Sequence, residues 1–404
     1  MKNNRKFKKI AILMENIEYG GATTHLVNLI NSKSFKGIKF CIITNRGNKA
    51  VKSILHFCEK KNIKILYYNS LFIPYFEKKI LKFFHYILKP LLFIISILQM
   101  YNILKKISYD LLLTNLGGYG DFRSELSALI AAKIQKKKNS FLLIHHCYSK
   151  PFFWNNLVNK FLSSIIGKLT KGIIFVSHAT KKNISKNTNL LKFSKSKIKV
   201  IHNGVDTKVL NKNKIRLFNT GKTKIKVLML SRIESYKGHE DMIEAFSILP
   251  QKIKSKYKIF FVGSGNPKHI KKLKNRINNL RLDKYFKFFN YLNYDSIRIF
   301  KSVDIFFSLT RDFEAFGYSI AESLLAETPV VSTKVGGVVE FLNKENSELI
   351  ETRNIKQINK IFIEFIKKRK YFKNKAIKGK LLIKKKFNSD LMGKNFYVFL
   401  NKNL

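Results

Sequence analysis

Short apolar runs rich in β-branched residues alternate along this chain with longer amphipathic stretches, and that rhythm leaves few folds open. In the first half the runs are KIAILM, IKFCIIT, IKILYY, DLLLTN, SFLLIHH and KGIIFVS. In the second half they are IKVLMLS, YKIFFVG, YFKFFN, DIFFSL and PVVST. Runs that are apolar on both faces read as strands of parallel sheets covered by helices on each side. A polar stretch from 203 to 224, rich in Asn, Lys, Thr and Gly, separates the halves and reads as a linker. The expected organisation is α/β: one doubly wound domain over 1–202 and a second over 225–384. Ligands of such sheets sit beyond the carboxyl ends of the strands. The tail, 385–404, carries Phe387, Leu391, Phe396, Phe399 and Leu400 at helical spacing and is expected to pack back toward the N-terminal domain.

A length of 404 residues suits two domains, and 45% hydrophobic residues supply two cores. The charge is unusual: 78 Lys and Arg against 25 Asp and Glu give a formal +53. Such a field attracts polyanions, anionic membranes or phosphorylated small molecules. Genomic bias toward Lys, Asn, Ile and Phe explains the same excess, and both readings stay open. Cys41, Cys58 and Cys147 have no metal-ligand spacing, which points to a reducing compartment. The apolar run after the basic N-terminus is too short for a signal-peptide core and reads as the first strand. No segment offers an uninterrupted span of about 20 apolar residues. The nearest, Ile80 to Ile107, is broken by Lys82, His85, Lys89, Pro90, Lys105 and Lys106; its centre, LLFIISILQM, fits a buried helix or one lying in a membrane interface.

The densest chemistry lies in RDFEAFGYSIAESLLAETPVVSTKVGGVVEFL, residues 311 to 342. A strand ends near Leu309, a loop carries Glu314, Phe316 and Gly317, and a helix begins at Gly317 to Tyr318. Free amides at a helix start, beside a glycine, cradle phosphate. Glu314 in the loop and Glu322 on the helix are acids able to accept hydrogen bonds from vicinal hydroxyls. In LMLSRIESYKGHEDMIEAFSIL, Arg232 and Lys237 follow a buried strand, five residues apart and before Gly238. Two cations there can neutralise a diphosphate and stabilise it as a leaving group. After the first strand, Gly20 and Gly21 permit a tight strand-to-helix turn without forming a dinucleotide fingerprint. His145 and His146 end another strand on opposite faces, so one at most reaches a ligand and the other is structural.

The stretches SRIESYKG, EAFGYSIAE, VIHNGVD, VGSG and KVGGVVE stand in the order and spacing of the retaining glycosyltransferases of family four. EAFGYSIAE resembles that family's pair of glutamates separated by seven residues. The resemblance covers nearly the whole chain and implies the GT-B fold, two Rossmann-like doubly wound domains facing across a cleft. It further implies metal-independent transfer, with retention, from a nucleotide-diphosphate sugar. By similarity, Arg232 and Lys237 hold the diphosphate, Glu322 the ribose and Glu314 the donor sugar. The amides of Phe316 and Gly317, and Tyr318 after them, lie near the phosphates. Gly20 and Gly21 line the N-terminal wall, and Gly263, Gly265 and Asn290 border the base. Arg232, Lys237, Glu314, His145 and His146 are the residues expected to serve the transfer itself. Two departures stand out: Asn290 replaces the usual glycine, and Gly-Gly-Ala-Thr-Thr-His replaces Gly-Gly-Ala-Glu.

No cofactor and no metal is expected, because no acidic metal-binding pair is visible. The expected partners are a nucleotide-sugar donor, a glycan or lipid-linked acceptor, and an anionic membrane surface on the cytoplasmic side. Basic and aromatic residues mix at 79–107 and in KPFFWNNLVNKF, 150–161, as in membrane-adsorbing surfaces. An epimerase or phosphorylase on the same fold is the alternative enzyme. A polyanion-binding protein is the alternative class, but no nucleic-acid module is visible and no nucleic-acid partner is expected.

Overall fold

The computed structural model describes residues 6–15, 19–58, 62–73, 79–137, 139–149, 155–208, 218, 224–290 and 296–404. The chain forms two compact units, Met1–Gly204 with Ser389–Leu404, and Val205–Asn388.

In the first unit, strands β1 (Lys9–Met14), β2 (Lys39–Asn45), β3 (Ile63–Tyr68) and β4 (Leu111–Leu116) are followed by β5 (Ser140–Ile144), β6 (Gly172–Phe175) and β7 (Lys197–Val200). They form one parallel sheet in the order β3-β2-β1-β4-β5-β6-β7. The helices between them are α1 (Gly21–Asn31), α2 (Ala50–Phe57), α3 (Lys79–Lys105), α4 (Ser124–Ile134), α5 (Asn155–Leu169) and α6 (His178–Asn187). The central strands β4 and β5 are buried at every residue, as their unbroken apolar runs require.

The second unit repeats the plan with β8 (Ile225–Leu230), β9 (Tyr257–Val262), β10 (Phe286–Phe289), β11 (Ile305–Ser308), β12 (Val330–Thr333) and β13 (Glu348–Ile350). Its parallel sheet has the order β10-β9-β8-β11-β12-β13. Helices α7 (His239–Ser247), α8 (Gln251–Lys254), α9 (Pro267–Asn279), α10 (Ser296–Phe300), α11 (Tyr318–Leu325), α12 (Ile355–Lys367) and α13 (Arg369–Lys386) complete it. Alternate residues of β8 feed opposite cores: Val227 and Met229 face one, Leu228 the other.

Two strands have no counterpart among the sequence runs. Both β7 and β13 are short edge strands, and KIKV is exposed over most of its length, so no apolar run announces it. The tail also differs from a single helix. Helix α13 stops at Lys386, and α14 (Ser389–Lys402) starts anew after Phe387 and Asn388. At that break the Val205 N–H donates to the Phe387 carbonyl, and the Phe387 ring packs beside Phe316 and Phe341 within the second unit. Helix α14 belongs to the first unit. The Lys33 N–H donates to Asp390, Phe399 lies against Phe141 and Gly172, and Phe396 and Leu400 are fully buried. Each such side chain is worth about 1.5–3 kcal/mol. Within the polar stretch 203–224, Asn203 is tied to His25, while 209–217 and 219–223 lie outside the described residues.

Helix α3 is buried along one side and exposed along the other. Phe93, Ser96, Met100 and Leu104 are buried, whereas Leu91, Ile94, Ile95 and Leu98 are exposed.

Candidate active site

A doubly wound sheet opens where the strand order reverses, because the loops of the two middle strands leave in opposite directions. In the second unit that point lies between β8 and β11. Lys237, from the loop after β8, donates from Nζ to Glu314 Oε2 of the loop after β11 at 2.7 Å. Thr310 Oγ1 lies 3.4 Å from the same nitrogen. Both charged side chains keep some exposure, 15% for Lys237 and 20% for Glu314. The sequence reading assigned this cation to a diphosphate and this acid to a sugar; in the structure they hold each other.

Backbone locks fix the pair. Gly238 has φ +74, and a Cβ there would stand 2.2 Å from the Leu309 carbonyl oxygen, so only glycine lets the two loops meet. Gly336, at φ +61, would likewise place a Cβ 2.2 Å from the Glu314 carbonyl oxygen, to which the Gly337 N–H donates at 2.7 Å. The loop after β12 therefore clamps Glu314 by its backbone.

Arg311 ties the same loops from below, a role the sequence reading missed. Its N–H donates to the Tyr236 carbonyl at 2.7 Å. Its guanidinium bonds both oxygens of buried Asp241, at 3.0 and 2.6 Å. The hydrogen bonds and charge of Asp241 hold Arg311 firmly protonated. The sequence signal was an Arg and an Asp at the starts of two adjacent loop-helix segments, too common in a basic chain to single out.

Arg232 is exposed, and its Nη2 donates to the Tyr236 hydroxyl at 2.7 Å. Gly317, at φ +83, caps α11. The first amides bonded inside this helix are those of Ile320 and Ala321, both to the Gly317 carbonyl, so the amides before them point out of the helix start. Tyr318 opens the helix, Phe316 is buried against it, and half-buried Glu322 sits just over one turn along. Gly263 and Gly265 are required by the close approach of the neighbouring loop. A Cβ at either would stand about 2 Å from a carbonyl oxygen of the 231–233 loop, and the Ile233 N–H donates to Ser264. Asn290 is exposed at the end of β10; Tyr291 and Leu292 lie outside the described residues.

The first unit has its reversal between β1 and β4. There the structure places two acids. Glu15, the residue after β1, accepts from Ser124 Oγ at 2.9 Å, from the Tyr68 hydroxyl at 3.3 Å, and from Ser70. Its N–H donates to Glu125 Oε1 at 2.9 Å. Burial, and then the charge of Glu15, push the Glu125 carboxyl up to about 8. Neither acid was singled out from sequence, although an acid directly after a buried strand is a readable signal.

The histidines separate as their alternation requires. His145 is buried, its Nε2 2.7 Å from Asn115 Oδ1. Its ring packs edge-on against His25 at 4.7 Å, and His25 Nδ1 lies 2.8 Å from Asn203 Oδ1. Burial lowers both, His25 to about 4. His145 is thus a neutral, buried group whose Nδ1 has no hydrogen-bond partner among the described residues. His146 is the half-exposed member, 3.1 Å from Cys147 Sγ. Gly20 precedes α1 in extended backbone that any residue adopts, and a Cβ there would meet open space. The turn does not need this glycine for its conformation; what it contributes is room beside the helix start.

Two family models match the chain, "Glycosyltransferase Family 4" over residues 19–209 and "Glycosyl transferases group 1" over 211–380. The chain belongs to glycosyltransferase family four. It is a transferase of the GT-B fold. The glycosyltransferase is 24% identical over 311 residues to an uncharacterized glycosyltransferase of Methanocaldococcus jannaschii, covering 74% of this chain and 76% of that one. Among solved structures it resembles Anabaena HepE in complex with UDP and glucose, with TM-score 0.75, 19% identity, and 98% and 100% of the two chains covered. It also resembles a glycosyltransferase from Rickettsia africae, with TM-score 0.74, 21% identity and 99% of each chain covered. At those identities the likeness concerns the fold.

Proposed function

We propose that this glycosyltransferase moves a sugar, with retention and without a metal ion, from a UDP-sugar to a glycan or lipid-linked acceptor. The observation that carries the reading is the locked Lys237–Glu314 pair at the strand-order reversal of the second unit, beside the amide-bearing start of α11. The named complex of the Anabaena neighbour supports UDP as the nucleotide. Arg232 and Lys237 hold the diphosphate. As the bond from the anomeric carbon to the phosphate oxygen breaks, the electron pair and negative charge pass to the diphosphate, where the two cations and the helix-start amides stabilise them. The cations do here what a divalent ion does in metal-dependent transfer. Glu322 accepts from the ribose hydroxyls, and Glu314, oriented by Lys237 and clamped by Gly337, accepts from the donor sugar. The acceptor hydroxyl attacks on the face the phosphate leaves, and the departing phosphate takes its proton. The enzyme works in the cytoplasm, peripheral to the inner face of a membrane, in making cell-surface polysaccharide or glycolipid.

A binding screen of UDP-sugars by calorimetry, in buffer with EDTA, tests the donor site. One donor should bind to the wild type and bind at least tenfold more weakly to Arg232→Ala and Glu322→Ala. Equal binding by both variants would move the donor elsewhere. Product configuration by NMR then separates retention from inversion, and release of free sugar or epimerised donor without acceptor would favour the alternative enzymes.

A further inference from the structure

Helix α3 carries apolar residues both toward the core and away from it, and among the described residues only the inner side is packed. The inner side carries Phe93, Ser96, Met100 and Leu104, which lie in the core of the first unit. Polar ties hold it there: Lys89 pairs with Asp121, His85 Nε2 lies 2.8 Å from the Leu71 carbonyl, and Gln135 donates to the Tyr101 carbonyl at 2.6 Å. The outer side presents Ile80, Phe84, Ile87, Leu91, Ile94 and Leu98, each three or four residues from the last, so they form one straight stripe along the helix. All are exposed, up to 64% for Ile80 and 62% for Leu98. A second apolar face on a helix calls for a partner, in protein or in lipid. A stripe of this length on a solvent face is larger than the scattered apolar residues of an ordinary surface.

We propose that the outer face of α3 docks the enzyme on an anionic lipid bilayer, with the helix lying in the plane of the interface. Charge points to the occupant. Apart from Lys89, which Asp121 neutralises, the helix carries lysines at 79, 82 and 105 and no Asp or Glu, and Lys105 and Lys106 at its end are exposed. The chain as a whole stands at +53, which repels a second copy of itself and attracts an anionic surface. Geometry excludes spanning. The 27 residues would reach about 40 Å, enough to cross a bilayer, but crossing would strip Phe93, Met100 and Leu104 from the core and break the Lys89–Asp121 pair. An in-plane helix buries its outer stripe among acyl chains and keeps its inner stripe on the protein. This deepens the lipid-linked acceptor and membrane reading above, and it stands or falls separately from the donor site.

Cosedimentation of the full chain with vesicles tests it. The wild type should pellet with phosphatidylcholine vesicles containing about one-third phosphatidylglycerol and bind them more weakly in high salt. The triple variant Phe84→Glu/Leu91→Glu/Leu98→Glu should lose at least tenfold in vesicle affinity, while its melting temperature and UDP-sugar binding stay as in wild type. Lys105→Ala and Lys106→Ala should each cost about fivefold on anionic vesicles. Leu98→Trp should shift its emission to the blue on vesicle addition. A wild type that stays in the supernatant with every vesicle overturns the proposal, as does a triple variant that binds like wild type. A wild-type dimer that the triple variant dissociates, without vesicle binding, overturns it in favour of a second copy. Loss of UDP-sugar binding by the wild type would instead sink the donor reading and leave the docking surface intact.

Discussion

The two units share one strand plan, and at the corresponding point, where the strand order reverses, they carry opposite chemistry. The second unit holds a lysine–glutamate ion pair that keeps some exposure and is clamped by glycine-permitted backbone contacts. The first holds two carboxyl groups and three hydroxyl donors and, in α1 and after β5, two neutral histidines, all buried. A charged, partly exposed pair can exchange a partner for a ligand at little desolvation cost. A buried cluster does so only at a larger desolvation cost, and this one leaves Glu125 Oε2, His25 Nε2 and His145 Nδ1 without a hydrogen-bond partner among the described residues. The difference makes the second unit's pair the readier of the two to take a ligand, a division that variants at both places test.

The largest expected effect tests that division directly. Lys237→Ala should lower kcat/KM by about 10²–10³ with a melting temperature near wild type, since it removes stabilisation of the leaving diphosphate. His145→Asn should do the reverse, destabilising the protein by about 1–3 kcal/mol while kcat/KM falls less than tenfold. Steady-state kinetics beside urea denaturation reads both, and a kinetic effect of His145 equal to that of Lys237 would erase the distinction.

Glycines sharpen it next. Gly336→Ala combines a left-handed backbone with a Cβ 2.2 Å from the Glu314 oxygen, so it should cost about 1–3 kcal/mol and weaken donor binding through Glu314. Gly20→Ala faces open space and should change stability by less than about 0.5 kcal/mol. A further, smaller step is Glu322→Gln, which keeps the shape and one acceptor; about a tenfold loss of donor affinity is expected, measured by calorimetry.

The last prediction is a slope. Glu125 keeps its proton to about pH 8 in the folded chain, whereas an unfolded carboxyl releases it near 4.5. The folded state then binds more protons in that window, so stability falls as pH rises through it. His25 acts oppositely: held near 4 against 6.5 when unfolded, it costs stability as pH falls below 6.5. Between 4.5 and 6.5 the two slopes oppose each other, and above 6.5 the carboxyl slope stands clear of this histidine. Denaturant midpoints from pH 6.5 to 8 should decline for the wild type and stay flatter for Glu125→Gln.

The strand runs, the glycine-bearing loops and the paired glutamates of 314–322 were legible in the sequence because each is local. A buried parallel strand must be apolar on both faces, and a helix start must bring free amides, wherever the chain later goes. The edge strands β7 and β13 were not legible, since half-solvated strands carry no unbroken apolar signal. Tertiary structure alone decided who meets whom. It paired Lys237 with Glu314 across 77 residues, brought Glu15 to Glu125, and buried one histidine of an adjacent pair while leaving the other half-exposed. It also settled that α3 buries one apolar face and bares the other. Composition does not distinguish those faces, because both are largely apolar, and only the position of the neighbouring core does.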